Sequence, residues 1–233
     1  MARRKVNTTK YEIIRQATTL FLERGYSATT PKLVCEALDI STGNLTYYFP
    51  TKEHLLFVLV RMLCQFQSKL LHELVEEEGK TSLLAVCLEL ATMAASSEQS
   101  EIARDMFLAS YESPMCLSYV RKNDTQRAKE IYGQYCPDWT EQQHIEAELL
   151  VSGIEFATLM VAGDPISLEA RITGALNNIM QIYNVPQEIR REKIQKILAM
   201  DYRAIARHTL DRFREFVNET NEHTIEELLA HHK

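Results

Sequence analysis

Three times the chain sets a potential capping side chain directly before a proline: Thr30-Pro31, Ser113-Pro114 and Asp164-Pro165. A Ser, Thr or Asp in that position accepts a hydrogen bond from an orphan helix N–H, and proline at the first helical position lacks only a donor that the helix would not use. These are helix starts. No stretch of the chain alternates apolar and polar residues as a half-buried strand would. With only seven glycines and six prolines in 233 residues, the composition favours helix throughout. The fold class is therefore all-α.

Caps and apolar spacing divide the chain further. Thr8 or Thr9 opens a helix over roughly 9–24 that stops at Gly25. Pro31 begins a short helix, Ser41 caps another, and Thr51 caps a long one through Leu74. Helices follow from Thr81 to about Ala95, over about 98–110, and from Pro114 to Tyr135. Thr140 with Gln143 forms a capping box for a helix to Val161. Asp164-Pro165 restarts the chain toward Tyr183, Pro186 precedes a single long helix to about Asn218, and Thr224 with Glu227 caps a short tail. This reads as a small N-terminal head, residues 1–50, and a larger helical body, residues 51–233, joined through helix 51–75.

Charge sharpens the division. The net charge is −6. Residues 1–61 hold nine Lys/Arg against five acids, a balance of +4, while the remainder stands at −10. A basic head on an acidic body points to a polyanionic partner for the head. Five cysteines without a CxxC pair give no disulfide framework and no zinc set. Met-Ala-Arg-Arg-Lys is followed by no apolar segment of signal-peptide type, and no apolar run reads as a membrane span, so the expectation is a cytoplasmic protein without a membrane partner.

Residues 30–48 carry the chemistry. A helix, a tight turn at Leu38-Asp39-Ile40 and a second short helix match a helix-turn-helix unit. Leu33, Val34, Ala37, Ile40, Leu45 and Phe49 face inward, which leaves Thr42, Gly43, Asn44, Thr46 and Tyr47 facing out. So short a helix with a glycine inside it stands poorly alone, and its outer face is the reason to keep it. Asn44 suits bidentate pairing with adenine, Thr46 offers a methyl to thymine or a hydroxyl to either partner, and Gly43 lets the backbone come close. Thr30, Lys32, Tyr48 and Lys52 can reach phosphates. The bland reading of the same residues is a helical hairpin with a solvated polar face.

Residues 9–56 resemble the DNA-binding head of TetR-type bacterial transcriptional regulators. Ala17, Leu20, Phe21, Gly25, Tyr26, Thr29, Thr30, Ser41, Gly43, Leu45, Tyr48, Phe49, Lys52 and Leu55 fall where that family's pattern expects them. Asp39 stands where the family usually has the turn glycine, and Thr46 where it usually has a tyrosine. The resemblance implies an all-helical homodimer, bound to a double-stranded DNA operator by its heads and tuned by a small-molecule effector in its body.

For the body only pattern is available. Leu149 and Gly153 on one helix and Ile172, Leu176 and Ile179 on the next suit a four-helix dimer interface, although the same stripes also suit a monomer core. Met93, Met106, Phe107, Tyr111, Met115, Tyr119, Trp139, Phe156 and Met160 are candidates to line an effector pocket, against the plain alternative of core packing. Glu141-x-x-His144 has the spacing of half a di-iron site, but no second such pair exists, so His144 reads as a surface or capping residue. His231 and His232 offer at most adventitious metal binding, and neither metal nor cofactor is expected. Nothing in the sequence provides a nucleophile elbow or a phosphate-binding glycine loop, so no enzyme is expected. The alternative function is a helical interaction adaptor that has lost DNA binding.

Overall fold

The computed structural model describes residues 2–75, 82–160, 165–223 and 225–226, with side chains from residue 10 onward other than that of His72. These residues contain eleven α-helices and no strand. The head comprises α1 (Ala2–Arg24), α2 (Pro31–Leu38) and α3 (Thr42–Tyr48). Helix α1 begins well before the expected cap at Thr8 or Thr9. The start of α2 follows the sequence: Thr30 Oγ1 accepts the Leu33 N–H at 3.2 Å, with Pro31 in the first turn.

The body runs α4 (Lys52–Leu74), α5 (Leu83–Gln99), α6 (Glu101–Glu112), α7 (Pro114–Tyr132), α8 (Glu141–Met160), α9 (Leu168–Ile182), α10 (Gln187–Ala199) and α11 (Tyr202–Glu219). Ser82 caps α5 through the Ala85 N–H, while Thr81, the expected cap, lies outside the described residues. Ser100 and Ser113 cap α6 and α7. The capping box of α8 is present: the Thr140 N–H donates to Gln143 Oε1 at 2.9 Å and the Gln143 N–H to Thr140 Oγ1 at 3.4 Å. Two starts differ from the sequence reading. The Thr51 hydroxyl lies 2.8 Å from His54 Nδ1, so it meets a side chain, while its carbonyl accepts the His54 N–H. Ser167, not the Asp164-Pro165 pair, caps α9 through the Ala170 N–H. The Thr224/Glu227 cap lies outside the described residues.

The single long C-terminal helix is in fact two. Met200 turns extended at φ −84° and ψ 150°, and Asp201 accepts the Ala204 N–H at 3.0 Å to open α11. An aspartate that caps so well competes with continuing the helix through it.

Helix α5 is the axis of the body. Apolar and small residues cover nearly its whole circumference, from Leu83 and Leu84 through Leu88, Ala91, Ala94 and Ala95, all buried. A helix of that kind must be enclosed, and α4, α6, α8, α9, α10 and α11 surround it. Helix α4 is long and apolar enough over Lys52–Leu71 to cross a membrane by length and composition alone, at mean hydropathy 1.2. Its apolar side instead packs on α1, α5 and α7.

The head does not stand apart. Tyr11, Ile14, Phe21, Leu45 and Leu56 share one core cluster with Met106 of α6, Cys116 of α7 and Phe213 of α11. Arg15 Nη2 donates to the Thr220 carbonyl at 2.5 Å, and the Tyr11 hydroxyl donates to Glu226. The loop between α1 and α2 is clamped twice. Lys52 Nζ donates to the carbonyls of Tyr26 and Thr29, at 2.9 and 3.0 Å, and lies 3.9 Å from the Tyr26 ring centre. From the other side Asp105 of α6 accepts the Ser27 N–H at 2.8 Å and the Ser27 hydroxyl. Gly25 makes this approach possible: its φ is +86°, and a Cβ there would sit 2.6 Å from Asp105 Oδ2.

Gly25→Ala should therefore lower the free energy of unfolding by about 1–3 kcal/mol. Urea denaturation is the check: the midpoint should fall with the slope unchanged, and a wild-type midpoint would mean that the loop is not held in this way.

Candidate nucleic-acid interface and buried cavity

The turn into α3 depends on Asp39, which adopts φ 53° and ψ 44°. That left-handed conformation, natural to glycine, is open to Asp because its short polar side chain tolerates it. The Ile40 N–H closes the turn onto the Cys35 carbonyl at 3.1 Å. Ser41 Oγ then accepts the Asn44 N–H at 3.2 Å and starts α3. Leu45 and Phe49, 2% and 6% exposed, anchor it. Behind them Val34 and Cys35 are buried. Ala37, expected inward, is exposed, and Cys35 takes the inner place. The register of α2 is rotated accordingly.

Thr42, Gly43, Asn44, Thr46 and Tyr47 all lie exposed on α3, Tyr47 at 76%. The Asn44 side chain makes no hydrogen bond to any described residue. Around Gly43 only Ser41 Oγ, at 3.8 Å, comes within reach of a Cβ. The Thr46 hydroxyl donates back into its own helix, to the carbonyls of Thr42 at 3.0 Å and Gly43 at 3.3 Å. With its proton so engaged, Thr46 offers the outside its methyl group. Tyr47 meets Tyr48 edge to face at 4.9 Å, and Tyr48 is half-buried. Thr30 and Lys32 are exposed beside this face, with Lys32 only loosely paired to Glu36 at 3.6 Å. Lys52 departs from its expected role. Its ammonium is occupied by the two loop carbonyls, and burial lowers its pKa.

A short, capped helix anchored by two side chains behind a left-handed turn, with its outer face unengaged, defines a helix-turn-helix protein. Residues 13–59 match the family described as "Bacterial regulatory proteins, tetR family", so this head is that of a TetR-type DNA-binding regulator. Among solved structures the chain is similar to two crystal structures titled gamma-butyrolactone receptor (ArpA-like protein). They are 18% and 19% identical, with TM-scores of 0.44 and 0.40, and the alignments cover 89% and 90% of this chain and 99% of each of those. No curated protein matches the chain.

Inside the body, side chains from α4 to α9 enclose a cavity of about 120 Å³. Of the residues expected there, Met93, Phe107 and Tyr111 line it. The other six do not. Met106 is buried in the core shared with the head. Tyr119 packs on Phe57 with its ring 5.4 Å from the Arg61 guanidinium. Trp139 packs on His144 and Tyr183. Phe156 is 37% exposed beside Tyr111. Met160 packs against the body core, and Met115 is half-buried away from the cavity wall.

What the sequence reading missed is charge. Glu89, Asp124, Arg127, Glu148 and Glu155 all line the cavity. Arg127 pairs with Glu89 at 2.5 Å and Asp124 at 3.3 Å. Glu148 accepts the Tyr183 hydroxyl at 3.1 Å, and Glu155 accepts the Tyr111 hydroxyl at 3.0 Å. Burial, reinforced by Asp124, raises the Glu148 carboxyl to about 8 and pushes that of Glu155 well above the usual carboxylate range. Arg127 is held in its charged form, chiefly by Glu89. The available signal was the spacing of Glu148 and Glu155, seven residues apart and therefore on one side of α8.

Helix α8 faces the opposite way from its apolar pattern. His144, Ala147, Glu148, Val151 and Ser152 are buried, while Ile145, Leu149, Leu150 and Phe156 are 48%, 53%, 59% and 37% exposed. His144 is thus neither surface residue nor cap. It is 6% exposed, edge-on to Trp139 at 5.3 Å, and burial lowers its pKa. His231 and His232 lie outside the described residues. The five expected interface residues separate as well. Leu149 and Gly153 are exposed, whereas Ile172, Leu176 and Ile179 are at most 5% exposed and belong to the core of the single chain.

Glu148 gives the fold a pH dependence. Its folded-state pKa lies above the ordinary value, so its contribution is fully present below about 4.5 and is lost as pH rises toward about 8. Glu148→Gln should flatten the melting temperature across that window and exceed the wild type at its upper end. Equal slopes for the two proteins would show that Glu148 ionises as freely in the fold as in the unfolded chain.

Proposed function

We propose that this regulator binds a near-palindromic DNA operator as a homodimer and acts as a repressor, released when a small molecule occupies the body cavity. The observation that carries this reading is the outer face of α3: five exposed residues on a helix held by two buried ones. In the major groove Asn44 pairs with adenine, the Thr46 methyl meets a thymine methyl, Gly43 allows close approach, and Thr42 and Tyr47 complete the base-reading edge. Thr30, Lys32 and Tyr48 contact phosphates, and Lys52 supports them by fixing the loop that positions α2. The adaptor alternative leaves this face without a task.

Two copies pair through the outward apolar face of α8, where Leu149, Leu150, Gly153 and Phe156 are exposed, together with the exposed side of α9 around Gly174. Gly153 and Gly174 have nothing within 4 Å of where a Cβ would stand, which leaves room for close helix approach. The head and body communicate through two helices. Helix α6 carries Asp105 at the head loop and Phe107, Ser110 and Tyr111 at the cavity. Helix α4 carries Lys52 at the same loop and Leu63, Cys64 and Gln67 at the cavity. A ligand that binds better when α4 and α6 are displaced shifts the spacing of the two heads, by no more than that difference in affinity.

The test is a gel shift on duplex from the gene's own upstream region. Wild type should bind with affinity falling steeply between 50 and 200 mM salt, by about 10³-fold or more if six or more phosphates are contacted. Asn44→Ala should cost about 1–3 kcal/mol at the cognate duplex only, and Lys32→Ala should weaken all duplexes alike. Equal affinity for every duplex would end the reading. Independently, Leu149→Glu with Leu150→Glu should shift the sedimenting species from dimer to monomer and weaken operator binding with it; a persistent dimer would place the interface elsewhere.

A further inference from the structure

We infer that the effector is a small organic cation, an ammonium carried on about one ring's worth of apolar atoms, seated in the body cavity with its charge between Glu148 and Glu155. The inference rests on the effector reading of that cavity and narrows it to a chemical class.

Size sets the first bound. A cavity near 120 Å³ resembles those of about 150 Å³ that hold benzene, so one ring or a short branched chain fills it. Leu90, Met93 and Phe107 supply the apolar wall.

Charge sets the second. Four carboxyl groups reach the cavity against one guanidinium, and Arg127 is already committed to Glu89 and Asp124. Glu148 and Glu155 are left with one tyrosine hydroxyl apiece. Arg121, the other cation that acts on Glu148, directs its Nε to Ser152 at 3.0 Å. The remaining titratable groups near the site are Cys64 on α4, Cys87 on α5 and Tyr132 on α7, none of which brings a positive charge. Anionic ligands are repelled, and a cation finds two carboxyls without a counter-ion.

A third observation is independent of charge. Gln67 on α4 is 6% exposed, lines the same cavity, and has no hydrogen-bond partner among the described residues. Its amide is therefore available to a ligand, and an ammonium or a second polar group of the ligand satisfies its carbonyl.

Burial, with the Asp124 carboxylate nearby, favours the protonated forms of both glutamates. An entering ammonium takes over the role of those protons. Carboxylic acid and ammonium become a carboxylate–ammonium pair, and the displaced proton goes to solvent. Binding of a cation therefore releases protons near neutral pH, and binding of a neutral isostere does not.

Calorimetry of the full-length protein at pH 7, in buffers of different ionisation enthalpy, tests this with benzylammonium and its neutral isostere benzyl alcohol. Benzylammonium should bind at least about tenfold more tightly and release about one proton per site. Glu148→Gln with Glu155→Gln should remove both the preference and the release, and Gln67→Leu should weaken benzylammonium several-fold while keeping the release. Benzyl alcohol binding as tightly, uptake or absence of protons, a preference that survives the double substitution, or no heat from benzylammonium at about 10 mM overturns the inference. The operator gel shift separates it from the reading beneath it. If benzylammonium binds with proton release but leaves the protein–operator complex intact, the cation site stands and release by the effector fails.

Discussion

A single loop of five residues, Gly25 to Thr29, carries the geometry of the whole head. Opposite charges grip it from two different helices of the body: the Lys52 ammonium through carbonyls, the Asp105 carboxylate through a backbone N–H and a hydroxyl. Thr29 closes the inside by donating to the Gly25 carbonyl at 2.8 Å. Each contact alone is an ordinary hydrogen bond worth about 1 kcal/mol net, somewhat more with a charged partner. Together they tie the loop before α2, and through it α2 and α3, to the body. The orientation of the outer face of α3 is thus set where the head meets α4 and α6, well away from α3.

That arrangement explains which parts of the head were legible in its residues. Capping is local chemistry, so Thr30, Ser41 and the left-handed Asp39 appear where their side chains and backbone preferences place them. The outer face of α3 was legible too, because Leu45 and Phe49 are the buried residues that anchor it. Lys52 was not. Its carbonyl partners lie 26 and 23 residues earlier in the chain, and a lysine at a helix start looks like a free cation until the fold brings them together. The break at Met200-Asp201 was obscured in a different way: apolar residues continue with helical spacing on both sides, and only the Asp201 cap marks the discontinuity.

In the body, the usual association of apolar with inside failed at α8. Ile145, Leu149, Leu150 and Phe156 make the more conspicuous stripe, yet the fold turns it outward and buries Glu148 instead. A carboxyl is normally too costly to bury, so residue type alone assigns it to solvent. Here tyrosine hydroxyls and a protonated state make the burial tolerable, and those compensations come from α6 and from Tyr183 beyond the end of α9. Core packing of Ile172, Leu176 and Ile179 under α8 follows from the same rotation. One reversed helix thus accounts for both the misplaced interface and two of the overlooked charges of the cavity wall, Glu148 and Glu155.

The contact of α1 with Thr220, Ile225 and Glu226 has a bearing on how such a protein can be dissected. Arg15 leans on the Thr220 carbonyl, Tyr11 on Glu226, and Ile225 is fully buried in the same cluster as Phe21 and Leu45. The helix-turn-helix head is therefore completed by a stretch of polypeptide some two hundred positions downstream of it. A graft that exchanged only the first fifty residues for those of another regulator would leave that ledge shaped for the wrong guest, so a working chimera has to exchange both ends of the chain.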